Sequence, residues 1–195
     1  IPLYKISTDT DDIKNIKKVL RRKMDWAIGP EIPEFEKKIA KYVGSKFCIA
    51  FNSGTSAGHA ALLAANINSG NIIVPSFTFI ATSNWPLMVN SKPKFSDIEE
   101  KYLGLDPQKL LHSITKSTKA IIPIHYAGLA CNIEEISKIS KTKKIPLIED
   151  CAEALGATVN GKSIGTFGEM SVFSFAPNKI ISTGEGGAVC TNSEK

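Results

Sequence analysis

The segment Ser174-Phe-Ala-Pro-Asn-Lys179-Ile-Ile-Ser-Thr-Gly-Glu-Gly-Gly187 runs from an apolar strand through a lone lysine into a glycine-rich turn. Val172, Phe173 and Phe175 are strand residues by type. Pro177 ends regular pairing because it has no N–H to donate, and Gly184, Gly186 and Gly187 permit a tight return into Ala188-Val189-Cys190. Lys179 therefore sits at a strand's end. A lysine held beside apolar residues has its ammonium form destabilised, which is how a protein makes an amine nucleophilic enough for Schiff-base chemistry. Taken alone, the residue reads as one of the chain's many solvated surface lysines. What decides between the two readings is the company it keeps.

Working outward from this segment, seven short apolar runs occupy 47–51, 72–74, 93–95, 120–124, 146–148, 171–175 and 188–190. Helix-like segments at 56–67, 81–90, 106–114 and 132–142 separate the first five. That alternation predicts an α/β fold, a doubly wound and mainly parallel seven-stranded sheet with helices on both faces. The link between the last two strands holds no helix long enough for a parallel crossover, so the seventh strand is expected to run antiparallel. Ahead of the sheet, Ile13, Ile16, Val19 and Leu20 recur at helical spacing with Thr8 or Thr10 as caps, and a second helix over 31–42 ends at Gly44.

Composition narrows the class. With 195 residues, 43% of them hydrophobic and 22% charged, the chain can bury one sizeable core as a single domain. A net charge of +5 would suit a polyanion, yet the basic runs at Lys17-Lys18, Arg21-Arg22-Lys23 and Lys141 to Lys144 read as solvated helix faces. No nucleic-acid partner is expected. Cys48, Cys131, Cys151 and Cys190 lie far apart with no CxxC pair, which predicts reduced thiols and no metal. No run approaches a membrane span and no signal pattern opens the chain, so the expectation is a soluble, cytoplasmic protein without a membrane partner.

Open α/β sheets hold their ligands at the carboxyl ends of the strands. After the first strand, Asn52-Ser-Gly-Thr-Ser56 opens a helix. Its free amides, the Thr55 and Ser56 hydroxyls, and Gly54 permitting close approach make an anion site suited to phosphate. After the second come Phe77 and Phe79; one ring could lie over a flat ligand, and Phe77 is assigned to core packing. His125-Tyr126 follows the fourth strand and reads as ordinary satisfied polar groups. The fifth ends in Glu149-Asp150-Cys151-Ala152-Glu153, whose carboxylates need partners if buried. Ser174 and Lys179 close the sixth. A phosphate cradle, an aromatic plate, a carboxylate and a lysine at one sheet edge are together what pyridoxal 5'-phosphate requires.

The motifs Gly29-Pro-Glu-Ile-Pro-Glu-Phe-Glu36, Asn52-Ser-Gly-Thr-Ser-Ala57, Val74-Pro-Ser-Phe-Thr-Phe-Ile-Ala-Thr82, Pro123-Ile-His-Tyr-Ala-Gly128, Ile148-Glu-Asp-Cys-Ala-Glu-Ala-Leu-Gly156 and Phe173 to Gly187 cover nearly the whole chain. In order and spacing they resemble the DegT/DnrJ/EryC1/StrS sugar aminotransferases, of the aspartate-aminotransferase fold (fold type I). The resemblance implies that Lys179 carries the cofactor as an aldimine, Asp150 pairs with the pyridine nitrogen, and Phe79 stacks on the ring. It places Gly54, Thr55, Ser56 and Ser174 at the phosphate, and Glu153 near the cofactor where many members have glutamine or histidine. Lys179 argues against the branch that carries histidine there and dehydrates its substrate.

The stretch from Asn178 to Gly187, with Glu153, is similar to perosamine-synthase-like members. These transfer an amino group from glutamate to the C4 keto group of a nucleotide-linked deoxy sugar. A homodimer with a shared active site and a place in polysaccharide or lipopolysaccharide biosynthesis are implied by the same resemblance. Family members are longer and carry a smaller second domain, so residues 1–195 are expected to be the large cofactor-binding domain, with weak or absent activity alone. Two rivals remain at this level. One is a non-catalytic regulator that keeps the pocket; the other is a nucleotide-binding domain using the Gly-Glu-Gly-Gly turn, which lacks the GxxxxGK[ST] or GxGxxG context.

Overall fold

The computed structural model describes residues 4–194. Two helices precede the sheet, α1 (Thr10–Arg21) and α2 (Glu31–Val43). α1 buries none of its residues, and a 12-residue helix without tertiary packing is marginal. Its ends supply the compensation: Asp9 accepts from the Asp11 and Asp12 amides while Asp12 reaches back to the Asp9 amide, with acidic residues in the first turn and Lys18 and Arg21 in the last. The cap is thus Asp9, between the two threonines that the sequence reading favoured, because from that position one carboxylate oxygen reaches two amides and Asp12 falls where it can close the reciprocal bond. α2 buries Ile39, Ala40 and Val43 and stops at Gly44, whose φ of 88° suits the left-handed turn there.

The strands are β1 (Phe47–Phe51), β2 (Asn71–Pro75), β3 (Lys92–Ser96), β4 (Thr118–Ile121), β5 (Ile148–Asp150), β6 (Thr158–Val159), β7 (Lys162–Ser163), β8 (Met170–Ser174) and β9 (Gly187–Thr191). Hydrogen-bonded ladders join β3-β2-β4 and β5-β8-β9-β1. Parallel bridges from Ile121 to Leu147 and from Ile124 to Asp150 join the two halves, giving one seven-stranded sheet. β9 runs antiparallel to both neighbours, as expected from its short connection, and the other ladders are parallel. β6 and β7 form a separate two-residue hairpin that the strand count from sequence did not include.

The helices α3 (Gly54–Ala64), α4 (Ile80–Met88), α5 (Pro107–Ser113) and α6 (Ile133–Lys143) complete the layers. Strand alternation sorts the core. Ile72, Val74, Ile148, Val172 and Val189 pack with Leu62 of α3 and Trp85 of α4 on one face. Ile73, Ile121 and Leu147 meet Leu110 of α5 and Ile136 of α6 on the other, alongside a cluster in which α2 covers Phe173 and Cys190. Trp85 lies so close to α3 that a Cβ at Gly58 would sit 2.0 Å from its indole. Only glycine fits there. All four cysteines are buried and unpaired. Among the described residues no helix is long and apolar enough to cross a membrane.

Candidate active site

The carboxyl ends of β1, β2, β5 and β8 converge with the start of β9 on a cavity of about 300 Å³ lined by Ser53, Gly54, Thr55, Phe79, Thr82, Trp85, Asp150, Glu153, Ser174 and Lys179 among others. Ser53 caps α3, its Oγ accepting from the Ser56 amide at 3.1 Å. The first turn of a helix leaves its leading amides without intrahelical acceptors, so Gly54 and Thr55 present donors and the positive end of the helix dipole to this space. Side chains would close the approach. A Cβ on Gly54 would lie 2.9 Å from the Ser174 Cβ, and one on Gly187 would lie 2.3 Å from the Ser53 carbonyl. Ser56 is turned behind Ser53, with their hydroxyls 3.0 Å apart, and does not form part of the wall.

Asp150 is the last residue of β5 and is 2% exposed. Its Oδ2 accepts from Thr82 Oγ1 at 2.7 Å and its Oδ1 from the Ala152 amide at 3.1 Å. Burial pushes its carboxyl above the usual carboxylate range, against the lowering effects of those two donors and of the Lys179 charge. Lys179 follows a turn closed by its amide on the Ala176 carbonyl at 3.0 Å. Its Nζ donates to Glu153 Oε1 at 3.2 Å and lies 5.9 Å from the centre of the Phe79 ring. The other Glu153 oxygen accepts from the Ala127 amide at 3.1 Å, which ties the lysine to the turn after β4. Phe79 precedes α4 and is 63% exposed at the cavity mouth. Phe77, assigned from sequence to the core, is instead 42% exposed against the Tyr126 ring at 4.6 Å, because β2 ends two residues before it and the chain has left the sheet there.

Sequence reasoning passed over two contributors from α4. Thr82 holds Asp150, and Trp85 forms part of the wall; with Phe79 they recur every three residues and so share one helix face. The signal was present in that spacing.

A second polar cluster lies beneath the sheet. Glu149, fully buried, accepts from His125 Nε2 at 3.2 Å and from the amides of Gly165, Phe167 and Gly168 at 2.7–2.8 Å. The Cys131 amide donates to His125 Nδ1, so that nitrogen carries no proton and Nε2–H is the donor to Glu149. His125, Glu149 and Cys151 are near enough together to face one ion. The lone pairs of His125 and Glu149 are spent, however, and burial pushes the Cys151 thiol up, so it stays protonated. His125 is the satisfied polar group read from sequence, here fully buried.

A chain with this order of strands, glycine cradle and strand-end lysine has close relatives. The model of the DegT/DnrJ/EryC1/StrS aminotransferase family matches residues 7–195. The chain belongs to the DegT/DnrJ/EryC1/StrS aminotransferase family. It is 44% identical over 169 residues to the GDP-perosamine synthase of Caulobacter vibrioides, covering 86% of this chain and 46% of that protein. An aminotransferase from Psychrobacter cryohalolentis superposes with a TM-score of 0.94 at 34% identity, over 99% of this chain and 50% of that one. The Escherichia coli GDP-4-keto-6-deoxy-D-mannose-3-dehydratase with bound hydrated PLP gives 0.92 at 34% identity, over 99% and 51%. The fold is therefore that of fold type I. The chain spans about half the length of the curated relatives it matches.

Proposed function

We propose that the protein carrying this chain is a pyridoxal-phosphate-dependent aminotransferase that moves an amino group from glutamate to a keto group, at C4, of a nucleotide-linked deoxy sugar. The observation that carries the reading is the placement of Lys179, Asp150 and the open first turn of α3 around one cavity. The GDP-perosamine synthase relative supports the sugar-linked substrate, and the dehydratase with bound PLP supports the cofactor. In this reading residues 1–195 are the cofactor-binding domain of a cytoplasmic homodimer whose shared active site is completed by a smaller domain and by the partner subunit.

The residues fit the cofactor. Glycine at 54 and at 187 lets the start of α3 pack directly against Ser174 and the start of β9, which seats the leading amides of α3, suited to a phosphate dianion, at the cavity. Gly54, Thr55 and Ser174 would hold that phosphate, with Ser56 acting through Ser53. Phe79 would cover the ring and Asp150 would hold a proton on its nitrogen. Pyridoxal phosphate, when bound, supplies an aldehyde for amine exchange and a ring that takes up an electron pair. Lys179 is the amine placed to attach it, and Nζ is the atom placed to carry protons during turnover. Glu153 Oε1, at 3.2 Å, holds that ammonium and can accept or return its proton. Proton transfer of this kind contributes about 10²–10⁴-fold.

The test is direct. The intact protein, titrated with pyridoxal phosphate and reduced with borohydride, is expected to yield one labelled peptide containing Lys179. Lys179→Ala should lose the label and at least about 10⁴-fold in transamination. Normal turnover by that variant, or a label elsewhere, would sink the assignment. A nucleotide bound without any pyridoxal phosphate would favour the nucleotide-binding reading instead.

A further inference from the structure

Asp150 does not stand alone in the wall of the cavity. Thr82 Oγ1 donates to its Oδ2 at 2.7 Å, and Thr78 Oγ1 donates to Thr82 Oγ1 at 2.8 Å. A hydroxyl has one proton to give. Because Thr82 accepts from Thr78, its own proton is committed to the carboxylate, and the chain runs in one direction from Thr78 to Asp150. Such chains polarise each bond along them. The alternative for a threonine inside a helix is to bond back to the carbonyl one turn earlier, and Thr82, 1% exposed, has given its proton to a residue 68 positions away instead. The same helix start that carries Phe79 also carries Thr82, one turn on. The plate and the anchor of the carboxylate are therefore fixed relative to each other by a single turn of α4.

We infer that Thr82, oriented by Thr78, is a positioning residue for the Asp150 carboxylate, holding Oδ2 in an ionised, fixed orientation toward the ring nitrogen of the cofactor. The inference rests on the pyridoxal-phosphate reading and goes beyond it in assigning a function to two threonines. With the Ala152 amide on Oδ1, each oxygen has one donor, and an ionised carboxylate keeps further acceptor sites on both. Those remaining sites are what a protonated ring nitrogen needs. Without Thr82 the carboxylate would lose its shortest hydrogen bond, one of the donors that favour its charged form, and its fixed rotamer.

The experiment compares pyridoxal phosphate with its 1-deaza analogue, which replaces the ring nitrogen by carbon, in absorbance and fluorescence titrations of the intact protein and of Thr82→Val, Thr82→Ser and Thr78→Val. Valine keeps the volume of threonine and removes the donor; serine keeps the donor. Thr82→Val is expected to weaken pyridoxal phosphate roughly tenfold or more, as a charge-assisted bond is lost, while changing affinity for the analogue less than about twofold. Thr82→Ser should stay within about threefold of the parent, and Thr78→Val should show the same selective loss at smaller size. Equal losses for both ligands, or no loss with valine, would overturn the inference and leave the cofactor reading standing. If the parent protein binds neither ligand, both fall together. Thr78→Val also covers the case in which Thr82→Val does not fold, since it breaks the outer link only.

Discussion

Glu149 and Asp150 are chain neighbours, both buried, and strand alternation sends them to opposite faces of the sheet. On the side of α6 and the loop at 165–168, Glu149 receives four donors: the His125 ring and the amides of Gly165, Phe167 and Gly168. An ionised carboxylate has about four acceptor sites, so nothing is left for a ligand. On the side of α3 and α4, Asp150 receives two donors and faces a cavity. The difference teaches how to tell a structural carboxylate from a chemical one. Burial and sequence position are shared; unspent hydrogen-bonding capacity is not.

The sharpest break of this comparison is the pair of isosteric amides. Asp150→Asn should cost on the order of 10²-fold or more in transamination, because the charge facing the reacting group is removed, with little change in melting temperature. Glu149→Gln should do the reverse. An amide nitrogen cannot accept from backbone N–H groups, so two buried donors lose their partner, at about 2–5 kcal/mol and roughly 5–15 °C in Tm. Calorimetry and rate measurements on the two variants decide it. A Glu149→Gln protein that melts normally, or an Asp150→Asn protein that keeps its rate, would remove the distinction.

How far this contrast was legible in the chain depended on distance along it. The strands, their alternation with helices and the antiparallel β9 could be read because buried strands are nearly continuous apolar runs and because a short link forbids a parallel return. Lys179, Asp150, Phe79 and the Ser53–Thr55 turn could be brought to one sheet edge because each lies at or within a few residues of a strand's carboxyl end, whereas the choice of Phe79 over Phe77 came from the family resemblance. Thr82 shares a helix face with Phe79, which hints that it reaches the site, but its bond to Asp150 could not be read, since that partner is 68 residues away and a helical threonine looks the same whatever it bonds. The hairpin of β6 and β7 was missed for another reason. Its Asn160-Gly161 turn, with φ of 50° and 77°, is the strongest short hairpin signal there is, but two-residue polar strands carry no hydrophobic pattern to draw attention to it. Phe77 was misplaced because an aromatic next to a strand reads as core, and only the fold shows that the chain has already left the sheet.

Glu153 tests the middle of the comparison, a carboxylate that is neither saturated nor idle. It spends one oxygen on Lys179 and the other on the Ala127 amide. Glu153→Gln can accept through one oxygen only, so one of those contacts is lost. The expected result is a fall in single-turnover rate of about tenfold, with cofactor affinity changed less than about threefold. Unaltered kinetics would move Glu153 to the structural side with Glu149.

The smallest expected effect is a difference in how stability responds to pH. Burial raises the carboxyl of Asp150 above its unfolded value, so over the window from that value up to the folded one the native state without cofactor binds more protons than the unfolded state. Stability contributed by this group is present in acid and lost as pH rises through the window. Asp150→Asn has no such proton to lose. The stability of the parent relative to Asp150→Asn should therefore fall as pH is raised above the unfolded carboxyl value of about 4 and level off once the folded one is passed. Urea unfolding of both proteins across that range measures it. A difference that is flat in pH would mean that Thr82, the Ala152 amide and Lys179 together offset the burial of the charge.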